Sequence, residues 1–201
     1  MDRRWFLASG LTAIVSGQAF GQTQQAGISF PLNVAIGAEA RALKNETYDP
    51  AYVRLVYPMG DVGDDRGVCT DTVIRAFRHA GVDLQVEVHE DMRAHFSAYP
   101  KAWGLTRPDR NIDHRRVPNI ETLFRRRGGS RRVSELAADY GAGDVVSWRL
   151  SGSGLPHIGV VTRSRSMGEP LIAHNIGAGT KVERVLFAWP IEGWFRFEAW
   201  T

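Results

Sequence analysis

One cysteine, Cys69, is the whole thiol content of this 201-residue chain. That excludes an intrachain disulfide framework and leaves a single thiol to be explained. Apolar runs are equally scarce. The stretch from Trp5 to Val15 is too short for the ~20 residues of a membrane-spanning helix, and no other segment approaches that length. Charge of one sign is not in excess: 25 Lys and Arg stand against 22 Asp and Glu, a formal +3. The balance gives no reason to expect a nucleic-acid partner, and the one basic concentration, Arg125 to Arg132, reads as a solvated loop. Metal and nucleotide signatures are missing too. "HEDMRAH" (His89 to His95) carries Arg93 where a H-E-x-x-H helix needs its second histidine. "IGAGT" (Ile176 to Thr180) has the wrong glycine spacing for a dinucleotide fingerprint and reads as a hairpin turn. No cofactor and no metal are expected.

What is present begins with an address. "MDRRWFLASGLTAIVSGQAFGQ" joins the pair Arg3–Arg4 to an apolar stretch and to small residues near Ala19 and Gly21. That three-part order is the pattern of an export signal over residues 1–21, twin-arginine in form, and it implies delivery to a bacterial periplasm. Its removal leaves 180 residues with net charge +2, enough for one domain. Residues 22–31 read as a mobile lead-in and 32–201 as a single domain, with no membrane span after the signal is gone. The oligomeric state is not readable.

The periodicity divides that domain in two. "PLNVAIGAEARALKNE" has helical spacing. A second helix is predicted from Cys69 to Ala80, with Asp71 in its first turn, Gly81 after its end and an apolar face of Val73, Ile74, Phe77 and Ala80. From Gly143 onward the chain turns to short β-branched runs: "DVVSWRL", "HIGVVTR", "PLIAHN", "VERVLFA" and "WFRFEAW", separated by Gly, Pro and Ser. They read as an antiparallel meander. Helices first and strands afterwards indicate an α+β fold.

Cys69 therefore opens a core-facing helix. Helix-start N–H groups and the macrodipole favour a thiolate, and the same N–H groups suit an oxyanion. A thiol nucleophile also needs a proton acceptor. Six histidines are available. His157 begins the "HIGVV" strand and His174 ends the next, "LIAHN". Neighbouring antiparallel strands would let His174 orient His157 as a third triad member does.

The order of a cysteine helix, a "GDVVSW" strand, "HIGVV" and "IAH" resembles the NlpC-type, papain-like cysteine peptidase superfamily over residues 55–200. "DDRGVCTD", "HEDM", "NIDHRRVPN" and "HNIGAG" resemble, within it, an exported bacterial family known only as a domain of unknown function. The resemblance implies a papain-like α+β core acting on peptidoglycan or a peptide-like substrate. In it Cys69 is the nucleophile, His157 the base, His174 the orienting residue and Tyr57 a tyrosine beside the oxyanion site. Thr70 and Asp71 depart from the serine and small residue usual after the cysteine, and Asp71 is expected to face outward and support the helix start. Trp103, Asp113, His114 and Asn175 are the candidate substrate-binding residues. The resulting expectation is an exported cysteine hydrolase of an amide or peptide bond. The alternatives are a non-catalytic wall-binding module and a thiol acyltransferase or amidase with another substrate.

Overall fold

The computed structural model describes residues 27–200. The expected export signal and residues 22–26 of the lead-in lie outside them. Helix α1 spans Phe30–Arg41 and so begins two residues inside the expected lead-in, with Pro31 in its first turn. Pro fits there because the N–H it lacks has no intrahelical partner anyway. A short parallel pair follows, β1 (Thr47–Tyr48) and β2 (Arg66–Gly67). Helix α2 is Cys69–His79, α3 is Leu84–His95 and α4 is Val117–Arg126. α1 lies tightly on α2 because Gly37 has no Cβ; one built there would meet His79 Cβ at 2.6 Å.

Six strands form the sheet: β3 (Ser130–Arg131), β4 (Val145–Arg149), β5 (Pro156–Ser166), β6 (Glu169–Asn175), β7 (Thr180–Glu183) and β8 (Ile191–Phe195). All pairings are antiparallel, in the order β3-β8-β4-β5-β6-β7. This corrects the simple meander: the last strand returns to lie between β3 and β4. The α+β class holds, with the helices on one face of the sheet.

Both faces of the central strands are buried, which is why "DVVSW" and "HIGVV" read as continuous apolar runs. On the helix side Cys69, Val73 and Phe77 pack with Val145, Ile158, Val160 and Ala173. On the other side Tyr140, Val146, Trp148, Val161, Ile172 and Leu186 form a second cluster. Leu186 explains why "VERVLFA" is not one strand. The chain leaves the sheet after Glu183 so that Leu186 can cover Trp148, whose indole N–H donates to the Leu186 carbonyl at 2.9 Å. "WFRFEAW" is likewise shifted: β8 ends at Phe195, and Phe197 and Trp200 pack against Phe77 and Phe124.

The arginine run is not a loop for most of its charge. Arg125 and Arg126 end α4, Arg125 pairing with Glu121 at 3.2 Å and Arg126 with Asp91 at 2.6 Å, and the following Arg127 reaches Glu87.

Candidate active site

Val68, extended at the N-cap, delivers Cys69 as the first residue of α2. Asp71 closes that turn by accepting the Val68 N–H at 2.7 Å. It does not face outward as expected. It is buried and bound by the Arg115 guanidinium through both oxygens, at 3.0 and 2.9 Å. Arg115 also donates to the carbonyls of Ala51 and Asp49, and its own carbonyl accepts the Thr70 hydroxyl at 3.0 Å. One guanidinium thus ties the 49–51 segment, the start of α2 and the 113–115 turn into one frame around the sulfur.

The sulfur sits against β5. The Ile158 N–H and the N–H groups of Thr70 and Cys69 favour its anionic form, but burial outweighs them and the Asp71 carboxylate adds to it. The thiol is pushed up to about 12. The expectation that the helix start leaves a ready thiolate is therefore corrected: desolvation dominates, and the resting group is a protonated thiol.

His157 on β5 and His174 on β6 are brought together, His157 Nε2 to His174 Nδ1 at 2.9 Å, both side chains buried. Gly159 makes the approach possible. It lies across from His174, and a Cβ built on it would stand 3.1 Å from His174 Cβ and 2.7 Å from Ile172 Cγ2. His174 Nε2 in turn meets Glu183 Oε2 on β7 at 3.0 Å. The carboxylate fixes the tautomers along this line. An ionised Glu183 only accepts, so His174 carries its proton on Nε2 and presents Nδ1 as an acceptor. His157 then donates from Nε2, leaving the lone pair of Nδ1 free. Burial and the neighbouring His174 push His157 down to about 3, so it rests neutral. Burial also lowers His174, against the pull of Glu183. Trp148 and Trp189 wall the His157 ring, with centroids 5.8 and 5.7 Å away. The thiol makes no hydrogen bond to His157 among the described residues. The structure brings the two histidines together but not to the thiol. His157 and Ile158 alternate on β5, so the sulfur lies with Ile158 on the helix side of the sheet while His157 and His174 lie with Trp148 and Ile172 on the other.

A cleft of about 480 Å³ opens in front of the thiol, lined by Tyr48, Tyr52, Cys69, Trp103, Arg116 and Pro118 among others. Trp103 is exposed there, with the Arg116 guanidinium 4.3 Å from its ring centroid. The other candidate substrate-binding residues are elsewhere. Asp113 is buried, paired with Arg116 at 3.2 Å, and its carboxyl is raised by burial. His114 is buried, down to about 4 for the same reason. Asn175 is buried and structural: its amide donates to the Gly67 carbonyl at 3.2 Å, joining β6 to the segment that precedes Cys69. Tyr57 is not beside the thiol. Its hydroxyl donates to Glu90 at 2.8 Å and its ring stands edge-on to His89.

The tyrosine next to the sulfur is Tyr48, whose hydroxyl is raised by burial and by the nearby Cys69 and Asp71 charges. It escaped the sequence reading because β1 and β2 are two residues each, too short to leave a periodic signal. Glu183 was hidden in "VERVLFA", where period-2 alternation puts it on the side of Lys181. Arg115 stood in "NIDHRRVPN" with nothing local to separate it from Arg116. Among the described residues no group of three or more His, Cys, Asp or Glu is gathered as metal ligands would be.

Comparison with known proteins adds relatives of three kinds. The chain is 55% identical over 168 residues to the uncharacterized protein YijF of Escherichia coli (strain K12), covering 82% of each. Among solved structures it matches NlpC1 and NlpC2 from Trichomonas vaginalis, each at 13% identity and TM-score 0.46. The matches take in 87% and 88% of this chain but 46% and 49% of those proteins, so the chain spans about half their length. Residues 35–197 match a family described as "Domain of unknown function (DUF1287)", and the chain belongs to that family.

Proposed function

We propose that this chain is an exported cysteine hydrolase that cleaves an amide or peptide bond, with peptidoglycan stem peptides as its substrate. The observation that carries the reading is the directed line Glu183–His174–His157, whose tautomers leave His157 Nδ1 as a free base. The His157 ring lies across β5 from the Cys69 sulfur, and catalysis requires it to turn to the helix side of the strand. Export is inferred from the Arg3–Arg4 pair and the apolar stretch that follows it.

The chemistry starts from a neutral pair. A scissile carbonyl enters the cleft, and the Cys69 sulfur attacks its carbon while the thiol proton passes to His157 Nδ1. The N–H groups at the start of α2 receive the developing oxyanion. The imidazolium is stabilised through His174 by Glu183, then returns its proton to the leaving amine as the C–N bond breaks. Water, deprotonated by His157, attacks the acyl thioester and releases the carboxylate, restoring the thiol. Concerted transfer removes the need for a standing thiolate, which burial disfavours. The proton transfer proceeds only after the His157 ring turns from the Trp148 side of β5 to the side of the thiol.

The protonated thiol also suits a second reading, a non-catalytic wall-binding module on the same fold. A packing role for two histidines needs no chain ending at Glu183, whose side chain is half exposed, and on that ground the hydrolase is preferred. Purified sacculi incubated with wild type and with Cys69→Ala separate the two. Muropeptide release by wild type alone supports the hydrolase, and equal release by both, or none by either, contradicts it.

A further inference from the structure

Beside the thiol cleft lies a second cavity of about 600 Å³, on the outer side of Tyr52, which lines both. Three guanidiniums, Arg54, Arg107 and Arg110, surround it together with His89 and Asp109. All three arginine side chains are exposed, and among the described residues none forms an ion pair or a side-chain hydrogen bond. Arg110 lies only over the Tyr57 ring, 5.5 Å from its centroid. The arginines at the end of α4, by contrast, each have an acid. The single acid in the cavity is already occupied: Asp109 accepts the Tyr52 hydroxyl at 3.0 Å and the Asn111 backbone and side-chain amides at 2.9 and 2.8 Å. His89 lines the cavity as well. The cavity therefore concentrates uncompensated positive charge and forked donors, at a site joined to the cleft through one tyrosine.

Guanidiniums match carboxylates in a planar, two-bonded geometry. We propose that this cavity is an anion subsite which holds a free carboxylate of an acidic peptide whose scissile bond lies at Cys69, with Arg54, Arg107 and Arg110 as the specificity-determining residues. This deepens the hydrolase reading and rests on it for the position of the bond. The anion-binding property stands on the cavity alone. Tyr52 is the wall between the two compartments, with its hydroxyl held by Asp109 and by the Asn111 amide at 3.0 Å, so a bound peptide passes over a fixed edge.

The test uses the full chain carrying Cys69→Ala, so that binding is read without turnover, and calorimetry with two carboxylate probes. One is tri-L-glutamate against tri-L-glutamine. The other is a muropeptide mixture before and after conversion of its carboxylates to amides. The proposal expects the carboxylate form of both probes to bind tenfold or more tighter than the amide form. It expects that preference to vanish in R54Q/R107Q/R110Q at unchanged thermal stability. Tri-L-glutamate binding lost with the three arginines, beside indifferent muropeptides, supports the subsite and contradicts the peptidoglycan substrate. Equal binding of acid and amide forms, absence of binding by both probes, or a preference that survives the triple substitution overturns the subsite, whatever sacculi experiments say of catalysis. Inorganic phosphate that binds through the same arginines while neither peptide does also overturns it, in favour of a phosphate ligand.

Discussion

His157 Nε2 and His174 Nδ1 stand 2.9 Å apart across β5 and β6, and Glu183 closes the far end of the line at 3.0 Å. Direction along this line comes from the carboxylate, which only accepts. Replacing His174 by Ala removes both the orientation of His157 and its route to the charge. A loss of ~100-fold or more in kcat, with KM little changed, is expected from the size of general-base contributions. Glu183→Gln keeps a partner for His174 but removes the charge, and since the carboxylate is half exposed its effect is smaller, about tenfold. Steady-state rates on muropeptides, with circular dichroism as a fold control, check both. Equal rates in His174→Ala and wild type would remove the relay from the account.

Gly159 offers a way to disturb the same pair without touching either imidazole. A methyl at this position presses on His174 Cβ and Ile172 Cγ2. Gly159→Ala is expected to lower stability by about 1–3 kcal/mol, as overpacking does, and to lower kcat beyond what the folded fraction explains. Urea unfolding gives the first number and turnover per folded molecule the second.

The thiol is expected to be sluggish. With burial pushing it up to about 12, iodoacetamide should modify native Cys69 slowly at pH 7.5, and the rate should climb about tenfold per pH unit towards pH 11 as the thiolate fraction grows. A fast rate that is flat from pH 6 to 9 would mean a standing thiolate and would replace the neutral-pair start.

Acid should weaken the fold early. His157 is held down to about 3 and His114 to about 4, chiefly by burial. Below about pH 6.5 the unfolded chain takes up protons on these imidazoles that the folded chain refuses. The unfolded state then binds more protons, so stability falls as pH drops from 6.5 towards 4. Urea midpoints at pH 7.5, 6.0 and 5.0 should descend in that order, and a level series would contradict the buried neutral histidines.

The Asp71–Arg115 pair is expected to matter more for the frame of the site than for chemistry. Arg115→Met leaves a buried carboxylate without its partner, which in general costs about 3–5 kcal/mol. Asp71→Asn keeps one acceptor for the Val68 N–H and is expected to lose less. The order of the two urea midpoints checks this.

Legibility in the sequence followed the range of the interactions. α2 was readable because its apolar spacing and Asp71 are local. β5 and β6 were readable because both carry dense β-branched runs. Those same runs put His157 and His174 on adjacent strands. What escaped depends on partners distant in the chain. Asp71 reads as solvent-facing from its neighbours in the chain, but Arg115, 44 residues on, lies against it. The resemblance implies Tyr57 beside the oxyanion site, yet the chain brings Tyr48 to the sulfur through a two-residue strand pair. Asp113 and His114 are polar and lie in a turn, which reads as surface, but α2, α3 and α4 all pack around it. The return of β8 beside β4 is a long-range pairing with no local signal.

The central claim is that Cys69 forms a covalent acyl intermediate with the help of His157. Intact-protein mass spectrometry after rapid acid quenching of a muropeptide reaction tests it directly. The account expects a mass increment equal to the acyl half of the cleaved bond, mapped to the Cys69 peptide, absent in Cys69→Ala and failing to accumulate in His157→Ala. Product formed at wild-type rate by either variant, or turnover in wild type with no adduct at Cys69 at any quench time, would contradict it.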